Sequence, residues 1–266
     1  MGTRAMRSIF ASSILLLSTS LYAMPPVYTI QGGIGGTDIG RKTDNYYYLT
    51  GSVLGSRGIS RKAILDLQAE ISTYDYDDND DLDGEELFLQ ATYSYTPRAG
   101  FQVPTYALGL RHTEEYLSGD DMDASTTTLL ISMSYRLNDR SKLTGGLKSG
   151  QRDASSDSDP KGYFINYDYR YSPEWLLYST LGGGEGAFTV RSFCSGAYRG
   201  NYGYRYRTWN ANRSPDDCDD LYLTLGGSYV IDAVNSLDLS VSHHEYDLPG
   251  GDLSGNFYSV DFFHRF

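Results

Sequence analysis

Charged side chains recur at alternate positions within otherwise apolar segments of the sequence. Asp66 and Glu70 alternate with apolar residues in one segment, and Lys148 and Arg152 follow Leu147 in another. Side chains spaced in this way point to one face of a β-strand. The candidates for a shared polar surface are Asp66, Glu70, Arg111, Arg136, Lys148, Arg152, Asp168, Arg170 and Asp238. Both signs are in near balance, so these residues can either guide polar or charged solutes through a water-filled space or pair and close it.

The two cysteines, Cys194 and Cys218, bracket a basic and aromatic segment of an acidic chain. In an exported protein an even cysteine count predicts a disulfide, whereas free thiols or a metal pair fit less well because no histidine is near in sequence. The candidate binding patch comprises Arg199, Tyr202, Arg205, Arg207 and Trp209. Guanidinium groups and aromatic faces suit sugars, lipopolysaccharide phosphates or an acidic ligand. The alternative is a loop whose rings and guanidinium groups stack on each other.

An acidic run contains the first half of a calcium-loop pattern. Asn79, Asp81 and Asp83 place oxygen ligands at alternate positions. The twelfth position of this register is Gln90 rather than glutamate, and the flanking segments have strand patterns. We interpret the run as a solvated acidic loop, with weakly bound calcium as the alternative. No other cofactor is expected.

A histidine-containing segment is the candidate for hydrolytic chemistry. It runs through Ser242, His243, His244, Glu245 and Asp247, and His112 is a further candidate. Adjacent strand residues face opposite sides, so His243 and His244 cannot serve one site without a bulge. We therefore predict no catalytic residue and favour a non-enzymatic protein.

The N-terminal residues have the pattern of a secretory signal peptide. Arg4 and Arg7 precede an apolar run at residues 9–17, and small residues lead to a predicted cleavage after Ala23. Removing two arginines changes the formal net charge from −12 to −14. Such an acidic chain is not suited to nucleic acid, whose phosphates require Lys and Arg. Residues 24–266 then form a single domain, in which no apolar run reaches the roughly 20 residues of a spanning helix.

Alternating apolar and polar residues predict about twelve strands. They lie near 27–37, 44–54, 62–74, 86–95, 106–113, 126–137, 142–152, 163–171, 175–183, 221–231, 237–242 and 256–266. The even-numbered connections are short, at 55–60, 97–100, 138–141, 172–174 and 232–235. The odd-numbered ones, which include 77–84, 117–124, 153–161, 185–220 and 247–255, are longer and more acidic.

The last segment, from Asn256 to Phe266, reads NFYSVDFFHRF and ends on an aromatic residue. It resembles the closing strand of Gram-negative outer-membrane β-barrel proteins, although His264 replaces the usual apolar residue or tyrosine. The resemblance implies an all-β, transmembrane, antiparallel up-and-down barrel in the outer membrane. It also implies contact with lipid and lipopolysaccharide, and recognition of the last strand by the barrel-assembly machinery.

A soluble β-sandwich or lipocalin-like barrel is the alternative fold. It would have to bury charged residues such as Asp66, Arg111 and Lys148, which costs several kcal/mol per ion. We therefore favour the membrane barrel, with a porin-like channel for small polar or charged solutes as its function. The alternatives are a non-conducting surface barrel that binds a partner or lipopolysaccharide through residues 185–220, and, third, an outer-membrane hydrolase.

Overall fold

Twelve antiparallel strands close into a barrel. The computed structural model describes residues 26–39, 42–78, 83–100, 102–118, 123–153, 159–188, 218–247 and 252–266. The strands are β1 Val27–Ile39, β2 Lys42–Ser60, β3 Ala63–Tyr76, β4 Gly84–Tyr95, β5 Thr105–Leu117, β6 Ala124–Arg136, β7 Ser141–Asp153, β8 Lys161–Arg170, β9 Trp175–Glu185, β10 Asp219–Val230, β11 Asn235–Asp247 and β12 Leu253–Arg265. The predicted all-β, up-and-down architecture and its strand number are confirmed. The predicted signal peptide, residues 1–23, lies outside the described residues.

Each strand pairs with its neighbours in the sequence, and β1 pairs with β12 to close the sheet. We call the β1–β12 pairing the seam. Side chains bridge across β1 on both faces of the seam. Inside the barrel Tyr48 donates to Asp261, and outside it Tyr258 donates to Asn45 over 2.5 Å. Both hydrogen bonds therefore join β2 to β12.

The outer surface of the barrel is apolar. Large side chains such as Leu147 (64% exposed), Leu49 (57%) and Leu110 (54%) lie on it, whereas the buried apolar residues of the described chain are few and include small ones such as Ala63 and Ala124. A soluble barrel or sandwich would bury its large apolar residues inside, so this distribution excludes that alternative. Among the described residues, no helix is long and apolar enough to cross a membrane.

Aromatic side chains gather where the barrel ends on the side of the chain termini. The rings of Trp175 and Tyr229, on β9 and β10, lie 4.9 Å apart, and those of His264 and Phe266 pack edge to face at 4.6 Å. Aromatic rings at this level are typical of the interface between lipid and water.

The connections differ in length between the two ends of the barrel. Those at the end that carries both termini, the periplasmic end, span residues 61–62, 96–104, 137–140, 171–174 and 231–234. Those at the outer end span 40–41, 77–83, 118–123, 154–160, 186–218 and 248–252. Two connections depart from the rule of short periplasmic turns and long outer loops. The first outer connection is short, because β2 begins three positions after β1 ends. The periplasmic connection predicted as a short turn at 97–100 spans 96–104 and is longer than every outer connection except 186–218.

One predicted turn is wrong. Residues 55–60 contain Gly55, Ser56 and Gly58 and have a turn composition, but β2 continues to Ser60 with a register shift between Gly58 and Ser60. The extension is held by pairing with β3, and the Ser56 hydroxyl donates to Asp66 over 2.5 Å. Cross-strand pairing thus overrides the local preference of glycine and serine for turns.

Candidate functional site

The strand register determines which side chains face the inside of the barrel, the lumen. Leu108, Ile131 and Leu147 lie opposite one another on β5, β6 and β7, and all three are exposed on the outer surface. Because side chains alternate along a strand, Arg111 and Lys148 point to the lumen. The same register places all nine predicted residues on the inner face: Asp66, Glu70, Arg111, Arg136, Lys148, Arg152, Asp168, Arg170 and Asp238. Their role in solute passage stays a prediction.

Hydroxyl groups, rather than basic side chains, satisfy two of the predicted carboxylates in the periplasmic half of the lumen, Asp66 and Asp238. Ser56 donates to Asp66. Asp238 accepts hydrogen bonds from Ser228 and from Tyr178, whose hydroxyl is 2.7 Å away. These two carboxylates are therefore bound by neutral donors rather than by basic side chains.

Asp261 lies directly opposite Asp238 on the adjacent strand and has the same kind of environment. It accepts hydrogen bonds from Tyr48 and from Ser259, the latter over 3.0 Å. The Tyr48 ring reaches it by crossing β1 at Gly33, where a β-carbon would collide with both the ring and the Asp261 carboxylate. Like charges opposed across two strands repel, and the two sets of hydroxyl donors offset that repulsion.

Ion pairing within the lumen is sparse. Between described residues, the inward ion pair of permanent charges within 4.0 Å is Lys142 with Asp168, at 2.8 Å. Arg136 and Arg170 end β6 and β8 at the periplasmic opening, where both are exposed. The inward charges in the described part of the chain are thus not cancelled by a network of salt bridges across the lumen.

Two basic residues lie in the outer half of the lumen and pack on aromatic rings. The Nε atom of Arg111 donates to Gln90 over 3.0 Å, and its guanidinium lies 4.9 Å from the centre of the Phe88 ring. The Lys148 ammonium lies 4.3 Å from the centre of the Phe188 ring. Neither cation is within 4.0 Å of a carboxylate among the described residues. The cation–π contacts orient both groups without an ion pair to a described carboxylate.

A cavity of about 420 Å³ occupies this outer half of the lumen. Arg111 and Lys148 line it together with Glu70 and Glu86. Its aromatic lining comes from Tyr46, Tyr74, Tyr76, Phe88, Phe188 and Phe257. The inner wall therefore combines charges of both signs with ring faces, which suits small polar solutes.

Near the outer end of β7, Arg152 is almost fully buried, with 3% of its surface exposed. It lies opposite Thr126, which is 2% exposed. Among the described residues, Nε and Nη1 of Arg152 and Oγ1 of Thr126 have no hydrogen-bond partner. The nearby carboxylate of Glu115 is within electrostatic reach of Arg152, but the two do not form an ion pair within 4.0 Å.

The histidines do not converge on one site. His112 and His243 face outward on β5 and β11, where they contact Thr127 and Asn256. His244 faces the lumen, and its Nδ1 lies 3.0 Å from Asp220. The expectation that His243 and His244 point to opposite sides is confirmed by the register, and this placement gives the hydrolase alternative no shared set of groups.

The predicted loop sites are only partly covered by the described residues. Asn79 and Asp81 lie outside them. The Asp83 carboxylate accepts a hydrogen bond of 2.7 Å from the backbone amide of Tyr76. No group of three or more potential metal ligands occurs among the residues that are described. The binding patch of Arg199, Tyr202, Arg205, Arg207 and Trp209 also lies outside them. Cys218 is buried, but Cys194 is not described, so the disulfide stays a prediction.

Several lumen residues were missed from the sequence. Tyr48 and Tyr178 were not predicted to bind carboxylates, and Phe188 was not predicted to line the cavity. A signal for the tyrosines exists in the chain, since each crosses a neighbouring strand at a glycine. Its recognition needs the strand register, which local patterns do not supply.

Comparison with known proteins identifies the fold. No protein-family model matches the sequence, and no curated protein matches it. Among solved structures, an outer membrane channel from Pseudomonas putida F1 superposes with a TM-score of 0.62 at 11% identity, over 93% of this chain and 98% of that chain. The chain has the outer-membrane channel fold. The CymD monoaromatic hydrocarbon channel and the NanC porin are also similar to it, each with a TM-score of 0.50 at 9% identity. They cover 94% and 88% of this chain, and 90% and 98% of their own chains.

Proposed function

We propose that this outer-membrane barrel is a porin-like channel for small polar or charged solutes. The observation that carries the proposal is the state of the lumen charges. Asp66, Asp238 and Asp261, near the periplasmic end, are bound by hydroxyl groups, whereas Asp168 pairs with a lysine. The cations of Arg111 and Lys148 pack on rings instead of pairing with described acids. A lumen plugged by salt bridges would instead show these cations bound to carboxylates.

The cavity supports the same proposal. Its volume of about 420 Å³ is that of a small-molecule site, and residues of the inner face line it. Barrels of about twelve strands lie between side-chain-filled small barrels and open wide pores. A narrow polar pathway that selects solutes by charge and size fits this intermediate width.

The similar solved structures support a channel as well. The proteins from Pseudomonas putida F1, CymD and NanC are described as a channel, a hydrocarbon channel and a porin. No feature of the described residues favours a hydrolase, because the histidines face different surfaces. Lipid, lipopolysaccharide and the barrel-assembly machinery remain proposed partners, on the resemblance of the last strand.

The experiment is single-channel recording of the refolded protein in a planar bilayer under a salt gradient. We expect stable conductance steps from the wild type. In Arg111→Ala the reversal potential should shift toward cation preference, because the substitution removes a positive charge from the wall of the lumen. Arg57→Ala is the matched control, since Arg57 is exposed and the register turns it outward on β2. Its selectivity should equal that of the wild type.

Persistent silence from a barrel shown to be folded would contradict the channel proposal. That result would favour the alternative of a non-conducting barrel that binds a partner or lipopolysaccharide through the segment between Cys194 and Cys218. Conductance with unchanged selectivity in Arg111→Ala would keep the channel but remove Arg111 from its pathway.

A further inference from the structure

The cavity in the outer half of the lumen carries opposite charges on different strands. Its cations, Arg111 and Lys148, come from β5 and β7, whereas Glu70 and Glu86 come from β3 and β4. Only β4 separates β3 from β5, so the backbones of β3 and β5 lie about 10 Å apart. The open space of about 420 Å³ therefore has a positive side and a negative side within the reach of one small molecule.

The positive side of the cavity fits a carboxylate. Arg111 and Lys148 both pack on phenylalanine rings and are within electrostatic reach of each other. Lys148 is also within reach of Asp220, but that carboxylate lies 3.0 Å from Nδ1 of His244 and is not among the described residues that line the cavity. Like charges held near each other repel, and an anionic group between them relieves the repulsion.

The negative side fits an ammonium group. The Glu70 carboxylate accepts a hydrogen bond of 3.3 Å from Gln68, and between described residues it has no basic partner within 4.0 Å. Tyr74 and Tyr76 follow on the same inner face of β3 and line the cavity. Tyr46 lies directly opposite Tyr76, with their ring centres 4.9 Å apart, and also lines it. Aromatic rings attract ammonium groups, and the carboxylate adds a charge of the matching sign.

A solute with a single charge satisfies only one side of this cavity. An anion bound to the cations brings a like charge near Glu70, and a cation bound to the carboxylates brings one near Arg111. A solute that carries both charges meets a partner on each side.

We propose that the cavity is a binding site for small zwitterions that join an ammonium group to a carboxylate, as α-amino acids and betaines do. The carboxylate points to Arg111 and Lys148, and the ammonium group points to Glu70 and the tyrosine rings. The inference rests on the proposed channel function and deepens it, because it names the class of solute that the lumen takes.

The test is calorimetric titration of the folded barrel in detergent, at pH 7 and constant ionic strength. The zwitterions are alanine, with a primary ammonium group, and glycine betaine, with a quaternary one; their comparison shows which kind of ammonium group the site prefers. Acetate and tetramethylammonium each carry only one of the two charges. We expect saturable binding of a zwitterion, and binding of either half that is weaker by about tenfold or more, because each half lacks one charge-assisted contact.

Two variants should change the binding of the two halves in opposite ways. Arg111→Gln should weaken zwitterion binding about tenfold and leave tetramethylammonium binding unchanged or stronger. Glu70→Gln should weaken the binding of zwitterions and of tetramethylammonium, and leave acetate binding unchanged or stronger. A loss of structure would weaken the binding of every probe, so this crossed pattern separates a direct role from a structural one.

Arg57→Gln and Glu245→Gln are the matched controls, because the register turns both residues outward and both are exposed. They should bind all four probes as the wild type does. Heat-dependent gel mobility establishes that each variant is folded.

Three outcomes would overturn the proposed site. The first is no saturable binding of either zwitterion to the folded wild type, and the second is acetate or tetramethylammonium binding as tightly as the zwitterions. The third is zwitterion binding that Arg111→Gln and Glu70→Gln both leave unchanged. These results are distinguishable from failure of the channel, since zwitterion binding to a barrel that does not conduct refutes the channel and keeps the site. Conductance without such binding keeps the channel and refutes the site.

Discussion

The hydrogen bond between Tyr48 and Asp261 should contribute strongly to barrel stability. In Tyr48→Phe, the carboxylate keeps its bond from Ser259 but loses the phenol, and Gln31 loses the acceptor that it binds over 2.8 Å. A hydrogen bond to a charged group contributes about 1.5–3 kcal/mol and a neutral one about 1 kcal/mol. Lumen water replaces part of this loss, so we expect the free energy of unfolding to fall by about 2 kcal/mol.

Urea unfolding from lipid vesicles, followed by tryptophan fluorescence, measures this change. Tyr47→Phe is the matched control, because Tyr47 is the next residue and faces outward with 50% of its surface exposed. It should change the free energy of unfolding by less than about 0.5 kcal/mol, as surface substitutions usually do. Equal stability of the two variants would refute the reasoning and mean that Asp261 is fully solvated in the lumen.

Three further predictions concern other parts of the barrel. Gly226→Val should destabilise the protein by about 1–3 kcal/mol through overpacking, because the added β-carbon would collide with the ring of Tyr178. Gly51→Val is the control, because a β-carbon at Gly51 meets open space and should cause no such loss. Chemical unfolding of both variants measures the difference in the free energy of unfolding. The pKa of Asp232 in the turn before β11 is held below its usual value chiefly by the Asn235 side chain, so its contribution to stability exists at neutral pH and is lost as pH falls below about 4. Unfolding midpoints of wild type and Asp232→Asn should therefore differ at pH 7 and converge near pH 2, and a constant difference would contradict this. Denatured, unreduced protein should show no thiol that reacts with maleimide, whereas Cys218→Ser should show one; a reactive thiol in the wild type would refute the predicted disulfide.

The strands were predictable from the sequence because each carries its own evidence. In β3, Leu65 to Ser72 alternate between the two faces without interruption, and the structure begins and ends that strand within two residues of the prediction. The period of two is imposed by the strand itself, and water inside with lipid outside keeps it visible. The inward direction of residues such as Arg111 followed from the same alternation.

The contacts of the lumen residues were not predictable in this way. The partner of Asp261 is 213 positions away, and it reaches the carboxylate over a third strand. Such a contact depends on how far neighbouring strands are shifted against each other, and local sequence does not encode that shift. The same reason explains the wrong turn at Gly55, where pairing with β3 extends the strand.

The two hydrogen bonds across β1 have a consequence for how the barrel closes. Tyr48 with Asp261 inside and Tyr258 with Asn45 outside both connect β2 to β12, which come together only when the first and last strands have paired. Side-chain hydrogen bonds therefore hold the seam on both of its faces, and they come from two strands that do not pair with each other. These two hydrogen bonds cannot form in an open sheet, so they stabilise only the closed barrel. In the closed barrel they hold β1 between β2 and β12.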